Sequence, residues 1–281
     1  MMIIPKDADI LILGAGWTST FLIPLLNSRS ISFAATTTTG HDNTIPFKFS
    51  PESDDIEPYK RLPSARTVLI TFPLKGHDQS KHILSLYRTI HGGQNNWIQL
   101  GSTGIFTESG WNNHKSTYKT DDPRAIAEDE LLGLGGCVLN LAGLYGGSRE
   151  PRNWVSRVAK CKEQVKSKSS LHMIHGDDVA RAIVAVHQNF TKGERWLLTD
   201  LRVYDWWDLI QDWGAEAQEK AKTTMGAEEA AKLEYTKWIG ELLMQEDVKA
   251  LPRSPESLGR MLDSRAFWNK MGVWPSRGRV K

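Results

Sequence analysis

Cysteine is scarce. Cys137 and Cys161 are the only two in 281 residues. Two are too few for a disulfide framework, and neither has Cys or His neighbours at zinc-ligand spacing. No metal centre is expected, and a reducing, cytoplasmic setting is. Long apolar runs are missing as well. The opening MMIIPKDAD has no apolar h-region, and no run nears the roughly 18 residues of a membrane span. Neither secretion nor a membrane partner is expected. The net charge is only +2, so no strong field selects nucleic acid or a membrane surface. Repeats and low-complexity tails are also absent.

What remains is an ordinary globular mixture, 40% hydrophobic and 24% charged. The length suits one large α/β domain, or a domain with an appended lobe. Tryptophan is abundant, with eleven in the chain. Seven lie after residue 190 (Trp196, Trp206, Trp207, Trp213, Trp238, Trp268 and Trp274), and an aromatic core in the last third is the expectation.

The chain is organised around Asp9-Ile-Leu-Ile-Leu-Gly-Ala-Gly-Trp-Thr-Ser19. A short apolar strand stops at Gly14. Gly16 follows, and a helical pattern begins with Phe21, Leu22, Leu25 and Leu26. Strand, tight glycine turn and helix let backbone N–H groups approach the pyrophosphate of a dinucleotide. Gly14, Gly16, Trp17 and Thr18 are the expected contacts. The first helix is expected over 16–27, short or kinked at Pro24.

A second strand over 32–36 ends in Thr36 to Thr39. An NAD-selective site places an acid about there, to hold the ribose 2′-OH. None occurs until Asp42. Thr37 and Thr38 are positioned to donate to a 2′-phosphate, so NADP is favoured over NAD, which stays open because no arginine stands there. A short third strand is expected around Phe47 to Phe49. A fourth, Thr67 to Thr71, leads to Phe72, Pro73 and Leu74, placed at the cofactor edge of the sheet. His77 and Asp78 form either a ligand contact or an exposed loop. A helix over 79–90 ends at Gly92 and Gly93. A fifth strand, Trp97 to Leu100, exits into Gly101-Ser-Thr-Gly104, with Ser102 and Thr103 as crevice hydroxyls or turn caps.

A polar loop over 107–121 precedes a helix capped by Asp122 with Pro123 at its first position. Arg124 and Glu128 on it read as either a substitute acid/base pair or, more in keeping with i,i+4 spacing, a surface ion pair. The sixth strand, Cys137 to Asn140, exits through glycines past Tyr145, a candidate for the substrate side. Beyond it a helix is expected over 154–166 and a strand over 171–174. His175, either a catalytic histidine or a residue packed at a strand–helix junction, precedes a helix capped by Asp177 or Asp178, and a last strand covers 195–198. A helix starting at Asp205 precedes a solvated helix or loop insertion over 214–234, and another helix starts at Ser254.

Alternation of strand and helix predicts a doubly wound parallel sheet of Rossmann type with a smaller C-terminal lobe. The core is placed in 1–148, with a further strand and helix from 171–200. The lobe, within 149–281, would close over substrate.

Four segments together resemble the extended short-chain dehydrogenase/reductase family, which includes NAD-dependent epimerases and dehydratases. They are the turn LGAGWTS, the strand end LGSTGIF, the segment IHGDDVARAI and the closing DSRAFWNKMGVWPS. In that family the third segment starts a helix tying lobe to sheet, and the last closes the chain. The order of Ser264, Arg265, Gly272, Trp274 and Pro275 is similar. The resemblance covers about residues 9 to 276. It implies a nicotinamide cofactor, a small-molecule substrate and a homodimer.

Two departures stand out. Ser19 takes the place of the third turn glycine. The Tyr-x-x-x-Lys pair is absent: Tyr87, Tyr118 and Tyr145 are followed four residues on by His91, Asp122 and Arg149. In the family that tyrosine moves a proton and that lysine holds the ribose. The helix expected to carry them holds Arg124 and Glu128 instead. The pattern is similar to the YeeZ-like branch, which keeps the cofactor motif and loses the pair. The expected function is an NAD(P)-binding oxidoreductase or epimerase-like enzyme whose catalytic residues are unassigned. The alternatives are a dinucleotide-binding sensor or partner-binding protein, and a non-redox isomerase or dehydratase on the same fold.

Overall fold

The computed structural model describes residues 7–280. In chain order its first half contains β1 (Asp7–Leu13), α1 (Ser19–Ser28), β2 (Phe33–Thr37), β3 (Ile45–Pro46), α2 (Glu57–Lys60), β4 (Ser64–Ile70), α3 (Gln79–His91), β5 (Asn96–Ser102), β6 (Gly110–Asn112), α4 (Pro123–Gly133), β7 (Cys137–Leu141) and β8 (Gly143–Tyr145). The second half contains α5 (Val155–Val158), α6 (Lys162–Lys166), β9 (Ser170–Leu171), β10 (Met173–His175), α7 (Gly176–Gln188), β11 (Arg195–Leu198), β12 (Tyr204–Asp205), α8 (Trp206–Met225), α9 (Ala227–Ala231), α10 (Tyr235–Gln245), β13 (Arg260–Leu262) and α11 (Arg265–Met271).

One parallel sheet of seven strands runs in the order β11-β7-β5-β4-β1-β2-β3. Both faces are covered, which explains why β1 reads as a continuous apolar run. Alternate residues serve opposite faces. Ile10 and Ile12 join one core with Leu22 and Leu26 of α1 and with α7. Leu11 and Leu13 join the other, with Ile83 and Tyr87 of α3 and Leu131 of α4. The strand order reverses between β1 and β4, so their C-terminal ends diverge and leave a crevice. Among the described residues no helix is long and apolar enough to cross a membrane.

A third core builds the lobe from Trp206, Trp207 and Trp213 of α8, Tyr235 and Ile239 of α10, and Val155 of α5. The tryptophans divide between two places. Trp196 and Trp268 pack in the sheet's core, while Trp274 is exposed.

Several boundaries differ from expectation. The third strand is Ile45–Pro46, and Phe47 only extends it with an N–H bond of 2.9 Å to the Thr37 carbonyl. The helix expected over 154–166 breaks into α5 and α6 around Ala159 and Lys160. The strand expected over 171–174 splits at His172, which turns inward and is buried. The alanine-rich stretch after Gly214 is not an insertion, because Ala217, Ala221 and Ala230 are buried in the lobe core. Gly214 permits this packing, since a Cβ there would stand 2.7 Å from the Tyr235 Cβ. The segment after Ser254 is a single turn, Pro255–Leu258, ended by Gly259 at φ +74°. Within the polar loop over 107–121, β6 pairs in parallel with β13.

Candidate functional site

Gly14 ends β1 at φ +92°, a conformation glycine adopts freely. A Cβ there would also lie 2.8 Å from Thr71 Oγ1 and 3.0 Å from the Phe72 ring. The turn is pinned from both sides. Gly14 N–H donates to Thr36 Oγ1 at 2.9 Å and Ala15 N–H to the Thr36 carbonyl at 2.6 Å. The Thr71 hydroxyl donates to the Gly14 carbonyl. Gly16 differs: a Cβ on it would meet nothing within 4 Å. Its surroundings are open space on the crevice side. No hydrogen bond among the described residues engages the N–H of Trp17 or Thr18. Thr18 flanks α1 without a side-chain cap. The donors at a helix start and its positive end therefore face the crevice. Ser19, in the place of the expected third glycine, is buried, and its hydroxyl has no hydrogen-bond partner among the described residues.

The crevice holds about 500 Å³. Gly14, Gly16, Trp17, Thr18, Thr37, Thr38, Phe72 and Pro73 all line it. Four expected residues do not. Leu74 is buried in the second core. The Ser102 hydroxyl accepts from Gly104 N–H at 3.1 Å, a turn cap, and Thr103 is buried. Tyr145 lines a neighbouring cavity of about 330 Å³, where its hydroxyl donates to the Gly278 carbonyl at 3.3 Å.

Thr37 lines the crevice, but its proton is committed elsewhere. Thr44 Oγ1 donates to the His41 carbonyl at 2.5 Å. Thr37 must then be the donor in its 2.7 Å contact with Thr44 Oγ1. It also accepts from Gly40 N–H at 3.0 Å. This removes Thr37 as a donor to a 2′-phosphate. Thr38 remains, beside His41, which also lines the crevice.

Arg149 was not singled out from the sequence, and Arg124 only as half of a pair with Glu128; both line the crevice. Their one signal was place: Arg149 follows a glycine-rich strand exit, and Arg124 sits in the first turn of α4. Arg149 lies over the Trp17 ring, 4.4 Å from its centroid. Among the described residues no carboxylate lines the crevice.

The expected Arg124–Glu128 surface pair does not form. Glu128 is 1% exposed and accepts from Asn140 Nδ2 at 2.8 Å and from Arg195. Arg195 also donates to Asn140 Oδ1 at 2.9 Å and to Asp129 at 2.7 Å. The Tyr118 hydroxyl donates to Asp129 at 2.7 Å. Burial pushes the Glu128 carboxyl above its ordinary range, against the pull of Arg195. Gly101 makes room: a Cβ on it would collide with the Glu128 carboxylate and the Asn140 amide. Where the resemblance places a cofactor-holding lysine, the helix thus carries a buried acid tied to the sheet.

His175 packs at a strand–helix junction, edge-on to Phe21 and Tyr145 at 5.4 and 5.0 Å. It is itself the cap of α7, its Nδ1 accepting from Asp177 N–H at 3.1 Å. That corrects the assignment of the cap to Asp177 or Asp178. Asp178 is buried and instead accepts from Ser276 N–H at 2.8 Å and from its hydroxyl at 2.7 Å. His77 and Asp78 do not line the crevice. Asp78 precedes α3 and donates from its N–H to Glu130 at 3.0 Å.

Solved structures share this fold. UDP-N-acetylglucosamine 4-epimerase from Bacillus cereus superposes with a TM-score of 0.60, at 10% identity over 96% of this chain and 95% of that one. Vestitone reductase from alfalfa gives 0.61, at 14% identity over 96% and 93%. dTDP-glucose 4,6-dehydratase from Bacillus anthracis, solved in complex with NAD, gives 0.57, at 10% identity over 96% and 92%. The fold is Rossmann-like. No family model matches the sequence, and no curated protein does either.

Proposed function

We propose that the crevice binds a nicotinamide dinucleotide and that the protein is an NAD(P)-dependent oxidoreductase or epimerase-like enzyme acting on a small molecule. The observation that carries this is the turn: Gly16 opens onto the crevice, with the N–H groups of Trp17 and Thr18 unengaged among the described residues. Pyrophosphate needs such close backbone approach and such donors. Arg149, stacked on Trp17, adds a cation at the same end. The neighbours that act on UDP-N-acetylglucosamine, dTDP-glucose and vestitone support the same class of chemistry. NADP is favoured over NAD. Among the described residues no carboxylate lines the crevice to hold a 2′-OH, and Thr38 and His41 line it just beyond β2.

A bound nicotinamide would supply hydride transfer, and the protein would orient the substrate against it. The crevice lacks the usual proton carrier. Arg124 lines it from α4, and a guanidinium does not give up a proton near neutrality. This absence favours a second reading, an atypical member that binds the dinucleotide without turnover, as a sensor or partner-binding protein. A cytoplasmic homodimer accompanies either reading.

Nicotinamide fluorescence on titration with NADPH and NADH tests the binding. Absorbance at the nicotinamide band, across aldehydes, ketones and sugar nucleotides, then tests turnover. Submicromolar to micromolar binding with turnover is the expected result. Binding without turnover across the panel supports the sensor, or non-redox chemistry. No binding of either dinucleotide overturns the oxidoreductase and the sensor alike.

A further inference from the structure

The crevice carries charge of one sign. Arg124 and Arg149 line it, and neither guanidinium has an acidic partner among the described residues. Their settings differ. Arg149 lies on Trp17 beside the glycine turn, where a dinucleotide's phosphates would lie. Arg124 comes from α4 and lines the same crevice, as Gly101 and Pro73 do. The turn's own N–H groups and Arg149 suffice for two phosphates, so Arg124 is left over.

Its base is fixed. Asp122 accepts from the Arg124 N–H at 2.8 Å. The Pro123 carbonyl accepts from Gly76 N–H at 2.7 Å. Ala125 and Glu128, which follow it on the helix, are buried. A half-buried guanidinium on a rigid helix is a preorganised fork for an oxyanion, which it can bind with two parallel hydrogen bonds. The space around it continues. Leu144 and Arg149 also line an adjoining cavity of about 640 Å³, whose other cation, Arg157, likewise has no acidic partner among the described residues.

We propose that the small molecule bound beside the cofactor carries an oxyanion, a carboxylate or a phosphate ester, and that Arg124 grips it. The inference rests on reading the crevice as a dinucleotide site. Arg124 then fixes the substrate's orientation and disfavours neutral analogues, which would leave the guanidinium half-desolvated and unpaired.

The test uses the full-length protein, with and without saturating NADP⁺, and reads tryptophan fluorescence, for which Trp17 is a reporter in the crevice. Succinate and glycerol 3-phosphate are titrated against their neutral partners, succinamide and glycerol. At least one anion should bind about tenfold more tightly than its neutral partner, and which one separates carboxylate from phosphate. Arg124→Leu should remove about tenfold of that affinity, and Arg124→Lys less. Arg29→Leu, at an exposed site on the far end of α1, controls for lost charge and should change nothing. NADPH affinity of Arg124→Leu should stay within about twofold of wild type, because phosphates have other partners.

Equal binding of neutral and charged probes overturns the proposal. So does an Arg124→Leu variant that loses NADPH by the same factor, since Arg124 would then hold the cofactor. If no dinucleotide binds, the functional reading fails by itself. The anion titration without NADP⁺ still decides whether Arg124 grips an oxyanion.

Discussion

At the scale of single residues, the two turn glycines have different jobs. Gly14 is needed by conformation and by contact, with φ +92° and Thr71 Oγ1 at 2.8 Å from its missing Cβ. Gly14→Ala should cost about 1–3 kcal/mol in denaturant unfolding. Gly16→Ala, into open space and at ordinary φ, should stay within about 1 kcal/mol of wild type. Equal losses at both would contradict the division. At the next strand end, His41→Ala should weaken NADPH several-fold, a loss of about 1 kcal/mol, and leave NADH unchanged. Parallel fluorescence titrations check this. The glycine turn was readable because its signal is local, a strand, two glycines and a helix in one stretch. The commitment of Thr37 was not, because it depends on Thr44 and His41 folding back across a turn.

At the scale of elements, α4 shows where spacing misleads. An i,i+4 reading pairs Arg124 with Glu128. The sheet instead offers Glu128 a guanidinium from β11 and an amide from β7. Those partners lie 67 and 12 residues away, beyond any helical period. Gly101 was read as part of a strand exit, yet its missing Cβ is what admits that carboxylate. Removing one partner of a buried ion pair leaves the other charge unpaired. Arg195→Met should therefore destabilise by about 3–5 kcal/mol. The double variant Arg195→Met with Glu128→Gln should recover part of that loss. Unfolding free energies of wild type, Arg195→Met, Glu128→Gln and the double variant give the coupling, and strict additivity would contradict the network.

At the scale of the whole molecule, the parallel sheet follows from the alternation of strand and helix patterns and an aromatic core late in the chain from its tryptophans, whereas the junction between the two was not legible. His172 and Asp200 are buried there, on two sides of Arg202. Burial lowers His172 from its ordinary 6.5 to about 4 and raises Asp200 from 3.8 to about 6. The signs oppose. The stability from neutral His172 is full above 6.5 and is lost as pH falls towards 4. The stability from protonated Asp200 is full below 3.8 and is lost as pH rises through 6. Each amounts to about 3 kcal/mol, so the two slopes largely cancel in the native protein. Asp200→Asn should expose the first: relative to wild type, stability drops more steeply from neutral pH to pH 4. His172→Gln should expose the second, with the opposite relative slope. Unfolding free energies across that range check both.

The central claim is that the chain's organising turn holds a dinucleotide's phosphates. It is tested most directly by calorimetric titration of NADPH into wild type and Gly16→Asp, with thermal melts of each. The aspartate enters open space, so the fold should persist and the melting temperature stay close to wild type. Its charge would face the pyrophosphate, and binding should vanish. An unchanged affinity in a folded Gly16→Asp protein would contradict the account.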